Sequence, residues 1–197
     1  RIDAIPSYDL YADPRSYAVP GFLHAETIRA RARVHGWTIR RHRHETMWQA
    51  MFVTGGGGEA LAENQRVAMR PPWFLWMPAG MVHGFDFVPG TEGFVVTASR
   101  DLLEQTLARD GFAFFEPLRE RRVVAQLDPD GSVAKDLSWT MSALLAEHGY
   151  SGFGARAAAS ALFELIVVAA ARIAGPEASS RRPSRSDAIA PRFRALV

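Results

Sequence analysis

Cysteine is absent from this chain of 197 residues, and lysine occurs once, at Lys135. Without thiols there is no disulfide framework and no cysteine-bearing zinc site, which agrees with a cytoplasmic protein. Positive charge is carried almost entirely by arginine, 23 basic residues standing against 21 acidic ones for a net charge of +2. That excess is too small to argue for nucleic-acid binding by this stretch. The longest apolar run, residues 157–171, is interrupted by Glu164 and falls short of the roughly 20 residues that a membrane span requires, so it reads as a buried helix. The chain opens without a methionine or a signal-like segment and stops inside RFRALV, the pattern expected of a piece of a longer protein.

What is present is 48% apolar residues, enough for one substantial core with a helical extension and short of two full domains. Residues 1–22 mix Pro6, Pro14 and Pro20 with Tyr8, Leu10, Tyr11 and Tyr17, a composition that prevents regular helix and reads as an arm laid on the main body. In residues 23–34, Ile28, Ala30, Ala32 and Val34 alternate with Arg29, Arg31 and Arg33. That period of two predicts a half-buried strand, ended by a turn at His35-Gly36. A second strand follows over 37–44, with Thr38, Arg40, His42 and His44 on one face. Residues 47–53 are apolar on both faces, as in a strand covered on both sides, and the four glycines at 55–58 predict a hairpin turn.

A further hairpin over 59–69, then strands over 73–77 and 84–99, complete an all-β unit spanning 23–100. From Asp101, placed to cap it, the spacing turns helical through Leu102, Leu103, Thr106 and Leu107. Residues 112–130 read as irregular, with Phe112, Phe114 and Phe115 wedged against the core. Ser132 is expected to cap a second helix, and residues 155–174 form a third. On that last helix Leu162, Leu165, Ile166, Ala169 and Ile173 make a stripe broad enough to need two burial partners, the β-unit and a second subunit. The helical region is 101–174, and 175–197 has linker composition followed by the start of another segment.

The chemistry concentrates in two stretches. In RRHRHETMWQAMF, His42 and His44 alternate on an extended chain and Gln49 follows; in PPWFLWMPAGMVHGFDF, a Pro78-Ala79-Gly80 turn precedes His83 by three residues. Three imidazoles and an amide thus face one interior. Imidazoles in that number can ligate a divalent metal, although a glutamine adds no negative charge to retain it. The same interior, with Arg40, Met51, Phe85 and either Trp76 or Trp73, can equally form a mostly apolar pocket with a few convergent polar groups, suited to a small anionic aromatic compound.

These stretches resemble the two cupin motifs, H-x-H-x4-E leading to a glycine and P-x-G-x2-H. They stand here as His42, His44, Gln49 and Gly55, then Pro78, Gly80 and His83, with Gln49 where the motif carries an acid. The resemblance implies an α+β, mainly β fold: a cupin-type double-stranded β-helix (jelly-roll) barrel preceded by an N-terminal arm and followed by three α-helices. The order of arm, barrel, helices and linker is similar to the effector-binding and dimerisation half of AraC/XylS-type transcriptional regulators. IPSYDLY, FLHAETIRARARVHGWTIRRHRHETMWQ and PAGMVHGFDFVPGTEGFVVT resemble the PobR-like branch, which answers to 4-hydroxybenzoate or related aromatic acids.

What this resemblance implies is a non-enzymatic sensor that binds a small aromatic carboxylate in the barrel and forms a homodimer through its C-terminal helices. Such a sensor reaches DNA only through a further C-terminal helix-turn-helix portion. Its pocket would map to Tyr8, Tyr11, Arg40, His42, His44, Gln49, Met51, Trp76, His83 and Phe85. No cofactor is expected on this reading. The alternative is a stand-alone metal-dependent cupin enzyme, a dioxygenase or isomerase, with the metal at His42, His44, Gln49 and His83.

Overall fold

A computed structural model describes residues 21–108 and 117–175 of the chain. Nine strands and four helices follow in the order β1 (Leu23–Thr27), α1 (Ile28–Val34), β2 (Thr38–His42), β3 (Met47–Gly55), β4 (Gly58–Ala62), β5 (Gln65–Met69), β6 (Trp73–Met77), β7 (His83–Phe87), β8 (Glu92–Ser99), α2 (Arg100–Leu107), β9 (Val123–Gln126), α3 (Ser132–His148) and α4 (Ala155–Ala174). The strands make two antiparallel sheets, β1-β8-β3-β6-β9 and β2-β7-β4-β5. Apart from the β4-β5 hairpin, neighbours in the sheets are distant in sequence, as in a jelly roll, so the expected α+β, mainly β fold with trailing helices is the one observed, as a cupin-like β-sandwich.

Alternation along the strands sends their side chains into two cores. Between the sheets lie Met51 and Val53 of β3, Trp73, Leu75 and Met77 of β6, Val95 of β8, Phe85 and Phe87 of β7, Ala60 of β4 and Met69 of β5. On the other face of the five-stranded sheet, Trp48, Ala50, Phe52, Phe74, Trp76, Val96 and Ala98 meet α2, α3 and α4. Both faces of β3 are therefore covered, as its apolar run required, and the central sheet is sealed on two sides.

Several expectations are corrected. Residues 28–34 form a helix instead of continuing the strand: Thr27 caps it, its hydroxyl accepting from Ala30 N at 3.1 Å, and Ile28 and Ala32 are buried one turn apart. The alternating pattern concealed an i, i+4 pair, and Ala30 and Val34 are exposed. The glycine run is no hairpin, because β3 and β4 belong to different sheets. Gly56, Gly57 and Gly58 all have positive φ, and a Cβ on Gly58 would lie 2.1 Å from Asp86 O, so glycine is what lets the chain turn this corner between sheets. Within the stretch read as irregular, β9 adds a fifth strand beside β6.

Helix caps also differ. The N-cap of α2 is Ser99, two residues before Asp101, whose carboxylate accepts from Gly21 N at 2.6 Å and so ties the start of the barrel to the helix. For α3 the N-cap is Gly131, not Ser132. Helix α4 is long and apolar enough to cross a membrane by length and composition, yet Phe163, Ile166, Val167 and Ala170 are buried in the core that it shares with α3 and the sheet. Leu165, expected on the buried stripe, is 49% exposed. Phe112, Phe114 and Phe115 lie outside the described residues, as do the arm and the linker beyond Gly175.

Candidate functional site

The end of the four-stranded sheet gathers the imidazoles. His42 closes β2 and His83 opens β7, and the two are register partners across the antiparallel pair. His44 follows just beyond β2, its carbonyl held by Gly80 N of the Pro-Ala-Gly turn at 2.7 Å. The ring centroids stand 4.3 Å apart for His42 and His83, 4.9 Å for His42 and His44, and 5.4 Å for His44 and His83. All three side chains are buried, and one nitrogen from each lies within 4.8 Å of the others.

Hydrogen bonds fix the tautomers of two of them. His42 Nδ1 donates to Arg40 O at 2.8 Å and His83 Nδ1 donates to Met81 O at 2.9 Å. A carbonyl only accepts, so each Nδ1 carries the proton and each Nε2 presents a lone pair in the neutral ring. Neutral is the state that burial favours. Desolvation lowers the pKa of His42, with Arg31 and His35 adding to the effect against the Arg40 hydrogen bond. It lowers that of His83 well below the usual imidazole range, with His42 and His44 as further causes. The Nε2 of His83 is buried and has no hydrogen-bond partner.

The remaining candidates divide between the two cores. Gln49 and Met51 face the space between the sheets; the Gln49 amide donates to Thr97 Oγ1 at 3.1 Å. Phe85 lies one pleat beyond His83 on the same side, ring centroids 5.8 Å apart, and Phe87 stacks on it in turn. Trp76 is not brought to this interior. It faces the helices, and its indole N–H donates to Leu118 O at 2.8 Å, whereas Trp73 is the tryptophan between the sheets. Arg40 is not there either.

The pairing of β2 with β7 shifts between Ile39 and His42, a bulge that turns Ile39 toward the inner core and leaves Arg40 exposed. Glu45 is exposed and pairs with Arg43 at 2.6 Å. Tyr8 and Tyr11 lie outside the described residues. Thr97 was missed, although Val95, Thr97 and Ser99 alternate in β8 with the outer-core Val96 and Ala98, which is the signal that places it beside Gln49.

Chemically, His42 and His83 offer neutral lone-pair nitrogens at the end of an apolar interior, with His44 beside them. Among the described residues the buried polar and charged side chains include no arginine or lysine. A family model described as AraC-like ligand binding domain matches residues 24–167, well over half of the chain. Among curated proteins no match was found.

Proposed function

Because the chain belongs to the family of AraC-like ligand binding domains, an effector-binding regulatory role, we propose that it is the sensing half of a DNA-binding transcriptional regulator whose effector is a small aromatic acid such as 4-hydroxybenzoate. The observation that carries this reading is the family match over residues 24–167, together with a buried polar cluster at one end of an apolar, aromatic-rich interior. Phe85 and Trp73 suit the flat face of a benzoate, and the imidazoles suit its oxygen atoms. In the full protein, cytoplasmic and with DNA contacted by a further helix-turn-helix portion, the ligand acts by favouring one arrangement of the subunits over another. A tenfold preference corresponds to about 1.4 kcal/mol.

Dimerisation through α3 and α4 belongs to the same proposal. Trp139 is 65% exposed and Leu165 49% exposed, and both border a groove of about 290 Å³ with Val133, Val168 and Arg172. Sedimentation of the unmodified chain against Leu165→Asp tests it, a shift toward monomer being the expected result. The effector reading is tested by thermal shift across substituted benzoates and phenylacetates. A ligand at a hundredfold excess over its dissociation constant adds about 2.7 kcal/mol of apparent stability; a flat response across both series would sink the aromatic-acid assignment.

A further inference from the structure

We propose that Arg122 is the counter-charge of the effector: its guanidinium, at the rim of the inter-sheet interior and across Ala62 from His83, receives the carboxylate of the aromatic acid. The inference rests on the effector reading above and adds to it the residue that recognises the acid group and the direction in which the ligand lies.

The position of Arg122 follows from alternation and register. Val123 of β9 packs in the helical core and Val124 against the inter-sheet core, so Arg122, two residues before Val124, comes out on the inter-sheet side. The pairing of Trp76 with Val123, continued by one residue, sets it opposite Met77. Met77 pairs in turn with Gln49, and Gln49 with Thr97. On the facing sheet Ala62 pairs with His83 and His83 with His42. Arg122 joins the two rows, since its Nη1 donates to Ala62 O at 2.8 Å and its Nη2 to Gln65 Oε1. One belt at the histidine end of the sandwich thus carries imidazoles on one side and a guanidinium on the other. Neighbouring strands lie about 4.8 Å apart, so the guanidinium on Ala62 O stands roughly one strand spacing from the backbone of His83 and two from that of His42.

The charge of Arg122 is not neutralised within the belt. Its partners among the described residues are a carbonyl and an amide oxygen, with no carboxylate. Those bonds tie β9 to β4 and β5, and a tie needs no charge. A guanidinium is charged at every physiological pH and keeps further N–H groups in its planar fork for an acceptor such as a carboxylate. The side chain is half-buried, deep enough to strengthen an ion pair and open enough for an anion to arrive from solvent. His42 and His83 do not supply the counter-charge, because burial holds both rings neutral. They suit the other end of the ligand: Nε2 of His83, a buried acceptor without a donor, matches a hydroxyl on the ring.

The test is calorimetry of 4-hydroxybenzoate and its uncharged counterpart 4-hydroxybenzamide on the unmodified chain and on Arg122→Gln. The unmodified chain should bind the acid about tenfold or more tighter than the amide. In Arg122→Gln that preference should vanish while the affinity for the amide stays within about twofold. Should the variant fold poorly by circular dichroism, Arg122→Lys, which keeps the charge without the fork, should show a reduced preference for the acid at unchanged affinity for the amide. Acid and amide weakened alike would make Arg122 a tie between the sheets only, and an undiminished preference for the acid would put the counter-charge elsewhere. Either result overturns the inference and leaves the effector reading intact, as does equal binding of the two compounds by the unmodified chain. Binding of neither compound overturns the aromatic-acid reading and the inference with it.

Discussion

The two faces of the five-stranded sheet are built from the same strands and end differently. Toward the helices the space is filled by large side chains from Phe52 to Phe163; the Trp76 indole is bonded to Leu118 O, while that of Trp48 has no hydrogen-bond partner. Toward the second sheet the aromatic and methionine packing runs up to His83, whose outer nitrogen has no partner. What sets the inter-sheet side apart is its three clustered imidazoles, polar groups that a core built only for stability tends to exclude. On the proposed reading the helical face is the fold's anchor and the inter-sheet face its receptor.

Substitutions can set the two faces against each other. The largest effect is expected on the helical side: Phe163→Ala should cost about 3–5 kcal/mol, read as a lower denaturant midpoint, because a ring buried among the helices and sheet leaves a cavity. Binding of 4-hydroxybenzoate under folding conditions should be retained. On the receptor side, His83→Leu removes both the unpaired nitrogen and the bond to Met81 O. The two terms oppose, so stability should change by less than about 1.5 kcal/mol, while calorimetry shows affinity for the acid falling at least tenfold.

A smaller effect separates the faces by pH. His24 of β1 meets His148 of α3 edge-on at 4.5 Å, outside the three-imidazole cluster. Its pKa is lowered from 6.5 to about 4 by burial, by His148 and by Arg31, and Glu26 at 3.9 Å does not reverse this. On acidification the unfolded chain takes up this proton first. The stability that His24 contributes is therefore complete above about pH 6.5 and is lost progressively toward pH 4. His24→Gln should flatten the urea midpoint across that window, and a profile identical to the unmodified chain's would contradict the assignment. Smallest of all is Arg40→Ala. An exposed side chain outside both cores should move stability by no more than about 0.5 kcal/mol and leave affinity within twofold; a tenfold loss would mean that Arg40 reaches the ligand and that the bulge does not hold.

Where period and turn chemistry agreed, reading from residues succeeded: β6 over Trp73–Met77 and α4 over Ala155–Ala174 fall where expected. The convergence of His42, His44 and His83 was readable from two short spacings, because alternation and a proline-glycine turn dictate facing locally. Arg40 and Trp76 were misplaced for opposite reasons. A one-residue bulge reverses facing upstream of His42 without any mark in composition. Trp76, in a strand that is apolar on both faces, gives no cue as to which side is inner until the helices dock on one of them.

Local spacing alone was enough to specify strands such as β3 and β6, the helical tail and the histidine cluster, since each depends on neighbours a few positions away. Which sheet face the helices cover, where the glycine corner leads and which polar atoms go without a partner depended on contacts between segments far apart in the chain. Those contacts arise when burial selects one arrangement of the whole, so no short window of residues contains them.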